Sequence, residues 1–453
     1  MSVGAVKFHV SDFMADRHPY QPDAGFATQR ERDAGRAFNG FDKEGLDQLL
    51  AYLPDMRVEP PQKAVALRHL LAHSAAAEKK IVLIQKNIVP AIAALCKDAP
   101  IPVVESHCAQ LLRSLCVLPQ GCHAVVAEGG LQALAATIFS RENAEAREEA
   151  RLHALNALQL LVSSWPGRAW TLGDDAAGLK EMQLLGRVLP EGTPALEREE
   201  REALAQQVCD VLVSVLDKDH ANEKMLVPAL HALALLTTEH RGLQLALIAG
   251  TLRATAEVLE RYTTSDLWVH TEASTGAEVV LHGAMVVWQM ALDNLGQKEA
   301  VNLPFVKILG KVIGYVLPVK DRLFSLKGNL SGAVTALMLH PPMKLAAVEN
   351  VTSFGGSPAS LLDVVLALVV QGHDAYQPMH AARKAGQPNP TPNLRIDDVT
   401  AVIKNAVQAV RLVAELPKAR EYLKVKVGPE QITLRRQLFY QTPFMQEFGV
   451  VPV

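Results

Sequence analysis

Residues 118 to 134 read LPQGCHAVVAEGGLQAL. Pro119 and Gly121 follow an apolar helical run, a short apolar stretch ends at Glu128, and Gly129-Gly130 break the chain before the next apolar run. Proline lacks a backbone donor and glycine tolerates positive φ, so both mark helix ends. The stretch predicts two short helices with a stop between them. It defines a fold only if the pattern recurs.

It does recur. Residues 62 to 98 read QKAVALRHLLAHSAAAEKKIVLIQKNIVPAIAALCKD, with Asn87 standing where Gly129 stands in the next copy, at 103 to 139. LHALNALQLLVSSWPGRAWTL follows at 152 to 172, its Trp165-Pro166-Gly167 replacing Leu118 to Gly121. Looser copies cover 226 to 259, 281 to 301, 328 to 351 and 403 to 423. In the long helix of each copy apolar residues recur at i, i+3, i+4 and i+7, as in Leu111, Leu112, Leu115 and Leu118, which makes a wide stripe to bury. The following helix is apolar too, and neither can bury its face alone. Stacking units at a period of about 40 residues covers both along a continuous core. That period and helix pattern belong to armadillo or HEAT arrays. The expected fold is all-α, an α-solenoid forming a right-handed superhelix of about seven repeats.

Composition agrees. The 453 residues are 49% hydrophobic, 5% aromatic and 21% charged, which suits a core-rich aliphatic chain of several domains or one array. The net charge of −3 is spread along the chain, and without a basic stripe it argues against nucleic acid as a partner. Five cysteines, an odd number, and an N-terminus without an apolar h-region point to a reducing, cytoplasmic setting. The longest apolar runs, such as LLDVVLALVV at 361 to 370, are too short to span a bilayer, so no membrane partner is expected.

Boundaries follow from punctuation. Residues 1–40 read as an extended polar arm and 41–372 as the array, with an acidic insertion near 174–200 and a Ser/Thr-rich loop at 262 to 277. Residues 373–398 hold four prolines and little periodicity, the pattern of a linker, before a last repeat at 399–434. The tail, 435–453, gathers Phe439, Tyr440, Phe444 and Phe448 in a chain poor in aromatics. It either folds back as a cap or docks on another protein, since aromatics and Met are enriched at interface cores. Docking is the preferred reading, because a capping helix is usually polar on its outer face and this segment is not.

No catalytic motif is present. His107-Cys108 and Cys122-His123 invite a zinc reading, but no Cys pair has ligand spacing, and small residues in a tight core account for them better. Nucleophile elbow, HExxH, P-loop and dinucleotide fingerprints are absent. The chain reads as no enzyme, with no cofactor, metal or small-molecule substrate expected. What remains is the array's surface. In armadillo stacks the last helix of each unit lines a groove where polar side chains bind partners. The candidates are Arg68, Arg113, Asn156, Gln159, Gln289, Asn294, Asn329, Asn405 and Gln408, together with the four tail aromatics. The recurring Asn would offer amide donors and acceptors to an extended backbone.

The stretch Phe41 to Phe139 and the motif KGNLSGAVTALMLHPPMKLAAVE at 327 to 349 resemble the armadillo-repeat proteins of flagellar radial spokes. Asn329, Ser331-Gly332-Ala333 and Met343-Lys344-Leu345-Ala346-Ala347 occupy the places of that family's late-unit consensus. The resemblance implies a structural subunit of the ciliary or flagellar axoneme, with spoke and axonemal proteins as partners and no catalytic residue. Two alternatives stand beside it: a soluble cargo or signalling adaptor of the importin or catenin kind, and a subunit of another large complex. Against the adaptor, Trp165, Trp170, Trp268 and Trp288 do not repeat in register.

Overall fold

A computed structural model describes residues 43–97, 101–139, 146–174, 198–219, 221–264, 274–320, 322–349, 351–354 and 357–450. The arm at 1–40, most of the insertion at 174–200 and the centre of the loop at 262 to 277 lie outside the described residues. The chain divides between Ala157 and Leu158 into two compact units.

Helices α1 (Lys43–Tyr52) and α2 (Pro60–His73) precede a triplet of short, middle and long helices that then repeats. The first triplet is α3 (Ala77–Gln85), α4 (Ile88–Lys97) and α5 (Pro102–Leu115); the second is α6 (Pro119–Ala127), α7 (Gly130–Phe139) and α8 (Glu148–Ser163). Next come α9 (Trp165–Thr171), α10 (Arg198–Lys218) and α11 (Glu223–Leu236), then α12 (His240–Ile248), α13 (Thr251–Arg261) and α14 (Thr275–Ala291). The fifth triplet is α15 (Asn294–Ala300), α16 (Phe305–Val316) and α17 (Phe324–Leu337). The sixth is α18 (Pro341–Glu349), α19 (Leu361–Lys384) and α20 (Ile396–Val413), and α21 (Pro417–Lys426) and α22 (Ile432–Phe439) begin a seventh.

Two rows of helices result. Long helix packs on long helix: α2 on α5 in the first unit, and α11 on α14, α14 on α17 and α17 on α20 in the second. Middle helices stack likewise, α4 on α7, α10 on α13, α13 on α16 and α16 on α19. Each row seals the other, since α4 covers α5, α13 covers α14, α16 covers α17 and α19 covers α20. This is the armadillo arrangement, and the chain is an all-α solenoid of that type. Its core is aliphatic: Leu67, Leu70, Leu111, Leu112, Leu115, Leu230, Leu233 and Leu330 are fully buried. One antiparallel hairpin, β1 (Val351–Phe354) with β2 (Ser357–Ser360), interrupts the helices between α18 and α19 and rests against α16.

The turn from short to middle helix is where Asn87 and Gly129 were equated, and both are left-handed there, with φ of 55° and 85°. Gly173 and Gly250 repeat the conformation at 81° and 79°. Asparagine is the non-glycine residue that most readily accepts it. The corner from long to short helix is fixed differently. Ser164 caps α9 by accepting from Gly167 N at 3.2 Å, Asp293 caps α15 by accepting from Leu295 N at 2.8 Å, and proline opens α6 and α21.

Two boundaries need correction. The Pro-rich segment at 373–398 is not a linker throughout, because α19 runs on through Pro378 to Lys384 with Met379 and Ala382 buried. Only the stretch from Ala385 to Arg395 connects helices. The aromatic tail is a cap. Phe439 stacks on Phe448 with centroids 3.7 Å apart, Phe444 meets both edge-on, and all three are buried. Arg411 of α20 donates to the carbonyls of Leu438 (2.7 Å), Gln437 (3.1 Å) and Tyr440 (3.3 Å), and Arg435 donates to those of Val427 and Phe448. Arg411 of the last repeat thus satisfies three backbone oxygens of the tail, Arg435 ties the tail to Val427 and to its own Phe448, and the tail's rings supply the apolar lid.

Candidate functional site

Within each unit the middle helices cover one side of the long helices, and the opposite side of those long helices carries half-buried and exposed side chains. The sequence candidates mostly fall there. Arg68 on α2 and Arg113 on α5 are exposed; Asn156 and Gln159 on α8, Gln289 on α14, and Asn329 and Asn405 are half-buried; Gln408 is exposed on α20. Asn294 is off the row, because α14 ends at Ala291 and Asn294 opens the short helix α15. Phe439, Phe444 and Phe448 leave the candidate list as buried cap residues, and Tyr440 alone of the four is exposed.

The asparagines do not form a free amide ladder. Asn156 and Asn329 each turn the amide NH2 back onto their own helix, to Leu152 O at 2.8 Å and Ser325 O at 3.0 Å. Asn405 donates to Gly328 O at 3.0 Å, and Thr335 donates to Asn405 O at 2.7 Å, so this pair ties α20 to α17. Asn405 is a positioning residue of the stack.

Histidines link successive long helices through their side chains. Gln110 Nε2 on α5 meets His153 Nε2 on α8 at 2.9 Å. Gln159 Nε2 donates to His231 Nδ1 on α11 at 2.7 Å, and His231 stacks on His282 of α14 with centroids 4.2 Å apart and planes 12° from parallel. The signal is in the sequence: His153, His231 and His282 each follow Leu and precede Ala or Gly on a long helix. Burial holds all three imidazoles below their usual range, and His282, next to His231, is pushed down to about 4. Beyond the stack, Trp288 lies half-exposed against Gly332 of α17, where a Cβ would come within 2.5–2.7 Å of three indole carbons. The glycine seats the ring.

A pH dependence follows. Between pH 6.5 and 4 the unfolded chain protonates a histidine that the folded stack keeps neutral, so stability falls as pH drops through that window and levels off below it. For His282 the loss should be on the order of 2–3 kcal/mol. Denaturant midpoints at pH 7 and pH 4.5 check it, and the difference should shrink in His282→Gln.

Among the described residues no group of three His, Cys, Asp or Glu is placed to hold a metal. Burial pushes Cys209 up to about 12, and the neighbouring thiols of Cys96 and Cys122, with burial, raise Cys108 and Cys116, so these side chains stay protonated at neutral pH. No single described helix is long and apolar enough to cross a membrane.

No protein-family model matches the chain, and no curated protein does. Solved structures match at low similarity. An engineered protein is 16% identical with a TM-score of 0.46, over 64% of this chain and 96% of that one. A designed armadillo repeat protein is 16% identical with a TM-score of 0.43, over 64% and 99%. A chain from a structure describing a phosphorylation switch between cadherin and beta-catenin is 12% identical with a TM-score of 0.36, over 92% and 85%. Such scores add no weight, and the armadillo-type fold stands on the repeating triplets and their packing.

Proposed function

We propose that this chain is a non-enzymatic scaffold that binds other proteins along the exposed side of its long helices. One observation carries the reading. The Gln159–His231–His282 rung spans three successive long helices with its rings and amide already fixed, at a surface that the middle row leaves open. Side chains whose rotamers are held before a partner arrives lose less entropy on binding, which is how a scaffold gains affinity. The resemblance of 41–139 and 327–349 to radial spoke proteins supports a finer placing, as a structural subunit of the ciliary or flagellar axoneme with spoke proteins as partners.

The test is the location and the footprint of the chain. A tagged copy expressed in a ciliated cell should run along the axoneme and copurify with spoke components. Hydrogen exchange on the purified assembly should show added protection on the long helices and none on the exposed side of the middle row. Protection on the middle row alone would overturn the binding face. A diffuse cytoplasmic tag with the same footprint would retain the scaffold and remove the axoneme.

A further inference from the structure

We infer that Thr391, at the tip of the α19–α20 hairpin, is a phosphorylation site for a proline-directed protein kinase. The inference goes beyond the scaffold reading and does not depend on it.

The sixth repeat lengthens its middle helix. α19 has 24 residues where α13 and α16 have 11 and 12. The surplus is roughly 18 Å of helix at 1.5 Å per residue, and the chain then turns back into α20. The connection reads GQPNPTPNLR at 386 to 395. Every residue from Arg383 to Pro390 is exposed, as are Pro392 and Asn393, and Thr391 is half-buried.

The tip has the form that a kinase accepts. Pro388, Pro390 and Pro392 carry no backbone donor and restrict the residues before them, Gln387, Asn389 and Thr391, to extended conformations. A kinase cleft takes its substrate as an extended strand, so less chain order has to be imposed on binding. The tip is held only by its own short-range bonds. Thr391 N and Oγ donate to Asn389 Oδ1 at 3.0 and 3.2 Å, Leu394 N donates to Thr391 O at 2.9 Å, and Asn389 Nδ2 donates to Leu394 O at 3.0 Å. The other Ser/Thr-Pro pairs lack this setting. Thr442 is buried in the cap and donates to Phe439 O at 2.6 Å, Ser357 pairs with Phe354 in the hairpin, and Thr193 lies outside the described residues.

The transfer balances as follows: Thr391 Oγ bonds to the γ-phosphorus of a nucleoside triphosphate, the bond from that phosphorus to the β–γ bridging oxygen breaks, the nucleoside diphosphate leaves, and a base of the kinase takes the hydroxyl proton. The local charge suits the product. Arg383, Lys384 and Arg395 flank the tip, no carboxylate lies between Ala381 and Ile396, and none of the three cations has an ion pair among the described residues. Asp397 and Asp398, in the first turn of α20, are the nearest acids in the chain. A phosphate at Thr391 would find guanidinium and ammonium donors not already engaged.

The experiment incubates the full chain with magnesium ATP and an active mitogen-activated protein kinase or, separately, a cyclin-dependent kinase, and assigns the phosphate by peptide mass spectrometry. Thr391 should carry it. Thr391→Ser should keep the label at this position, while Thr391→Val and Pro392→Ala should lose it, with circular dichroism of each variant matching the parent. In the phosphorylated chain the phosphorus-31 resonance should titrate at lower pH than it does in urea, and Lys384→Gln with Arg395→Gln should remove that difference. If neither kinase labels Thr391 in the folded parent, or the label survives Pro392→Ala, the site is overturned and the scaffold reading stands. A labelled Thr391 whose phosphate titrates alike in water and in urea overturns the part given to the cations.

Discussion

Gly242→Ala is expected to lower the unfolding free energy by about 3 kcal/mol, while Gly250→Ala, later in the same repeat, should cost only about 1–2 kcal/mol. The two glycines serve different needs. Gly250 sits at φ 79° with no atom within 4 Å of a would-be Cβ, so alanine there meets only the left-handed penalty. Gly242 lies in the first turn of α12, where the short helix crosses the end of α11. A Cβ would stand 2.1 Å from Leu236 O and 2.8 Å from Leu236 C, and backbone cannot rotate away as a side chain can. The same approach recurs at Gly121 (1.9 Å from Leu115 O), Gly167 (2.0 Å from Leu161 O) and Gly296 (2.0 Å from Met290 O). The equivalent positions of α18 and α21 hold buried Met343 and Ala419, so those corners are built with room for a side chain. Urea denaturation of both variants measures the difference. Equal costs would mean that the corner is looser than its geometry.

Those corners explain why the fold was legible in the sequence. At the four closest crossings the corner takes glycine, four short-to-middle turns take glycine or asparagine in a left-handed conformation, and both requirements are local. They appear as PQG, WPG and HRG at the start of α6, α9 and α12 and as Asn87, Gly129 and Gly250 after short helices. What misled was chemistry settled by distant partners. Pro378 signals a break, yet α19 passes through it, because the turns beyond bury Met379 and Ala382. Asn405 looks like a groove amide, but its amide is spent on Gly328, far back in the chain. Position on a long helix was readable for every candidate of the array but Asn294; occupancy of the side chain's hydrogen bonds was not.

The long-helix face shows the same division. Arg68 and Arg113 could be placed by period alone, since an unpaired exposed cation needs no partner to be recognised. The His231–His282 stack requires two long helices in register, which only the packing of α11 on α14 supplies. A second consequence is that substitutions at the two kinds of position should separate. Changes at the exposed arginines should act on partners with little effect on stability, whereas changes in the histidine rung should act on both.

Phe439→Ala is expected to destabilise the chain by about 3–5 kcal/mol, the usual cost of emptying a buried aromatic site, with the effect concentrated at the C-terminal end. Phe439 is fully buried, stacked at 3.7 Å on Phe448 and edge-on to Phe444, while Arg420 lies 5.5 Å from the Phe444 ring. Glu447 reaches Arg420 and Lys424, each at 3.3 Å, so the lid is pinned at its rim as well as filled at its centre. Each repeat of a solenoid leans on its neighbours, and a terminal repeat without a cap frays first. Removal of residues 437–453 should therefore lower the melting temperature and speed hydrogen exchange through α20 and α21, leaving the first compact unit unchanged. Tyr440→Ala is the control: its side chain is 37% exposed, and its link to Arg411 runs through the backbone, so the change should stay within about 0.5 kcal/mol. A tail built for docking would give the opposite pattern, with Phe439→Ala melting like the parent and losing only its place in an assembly.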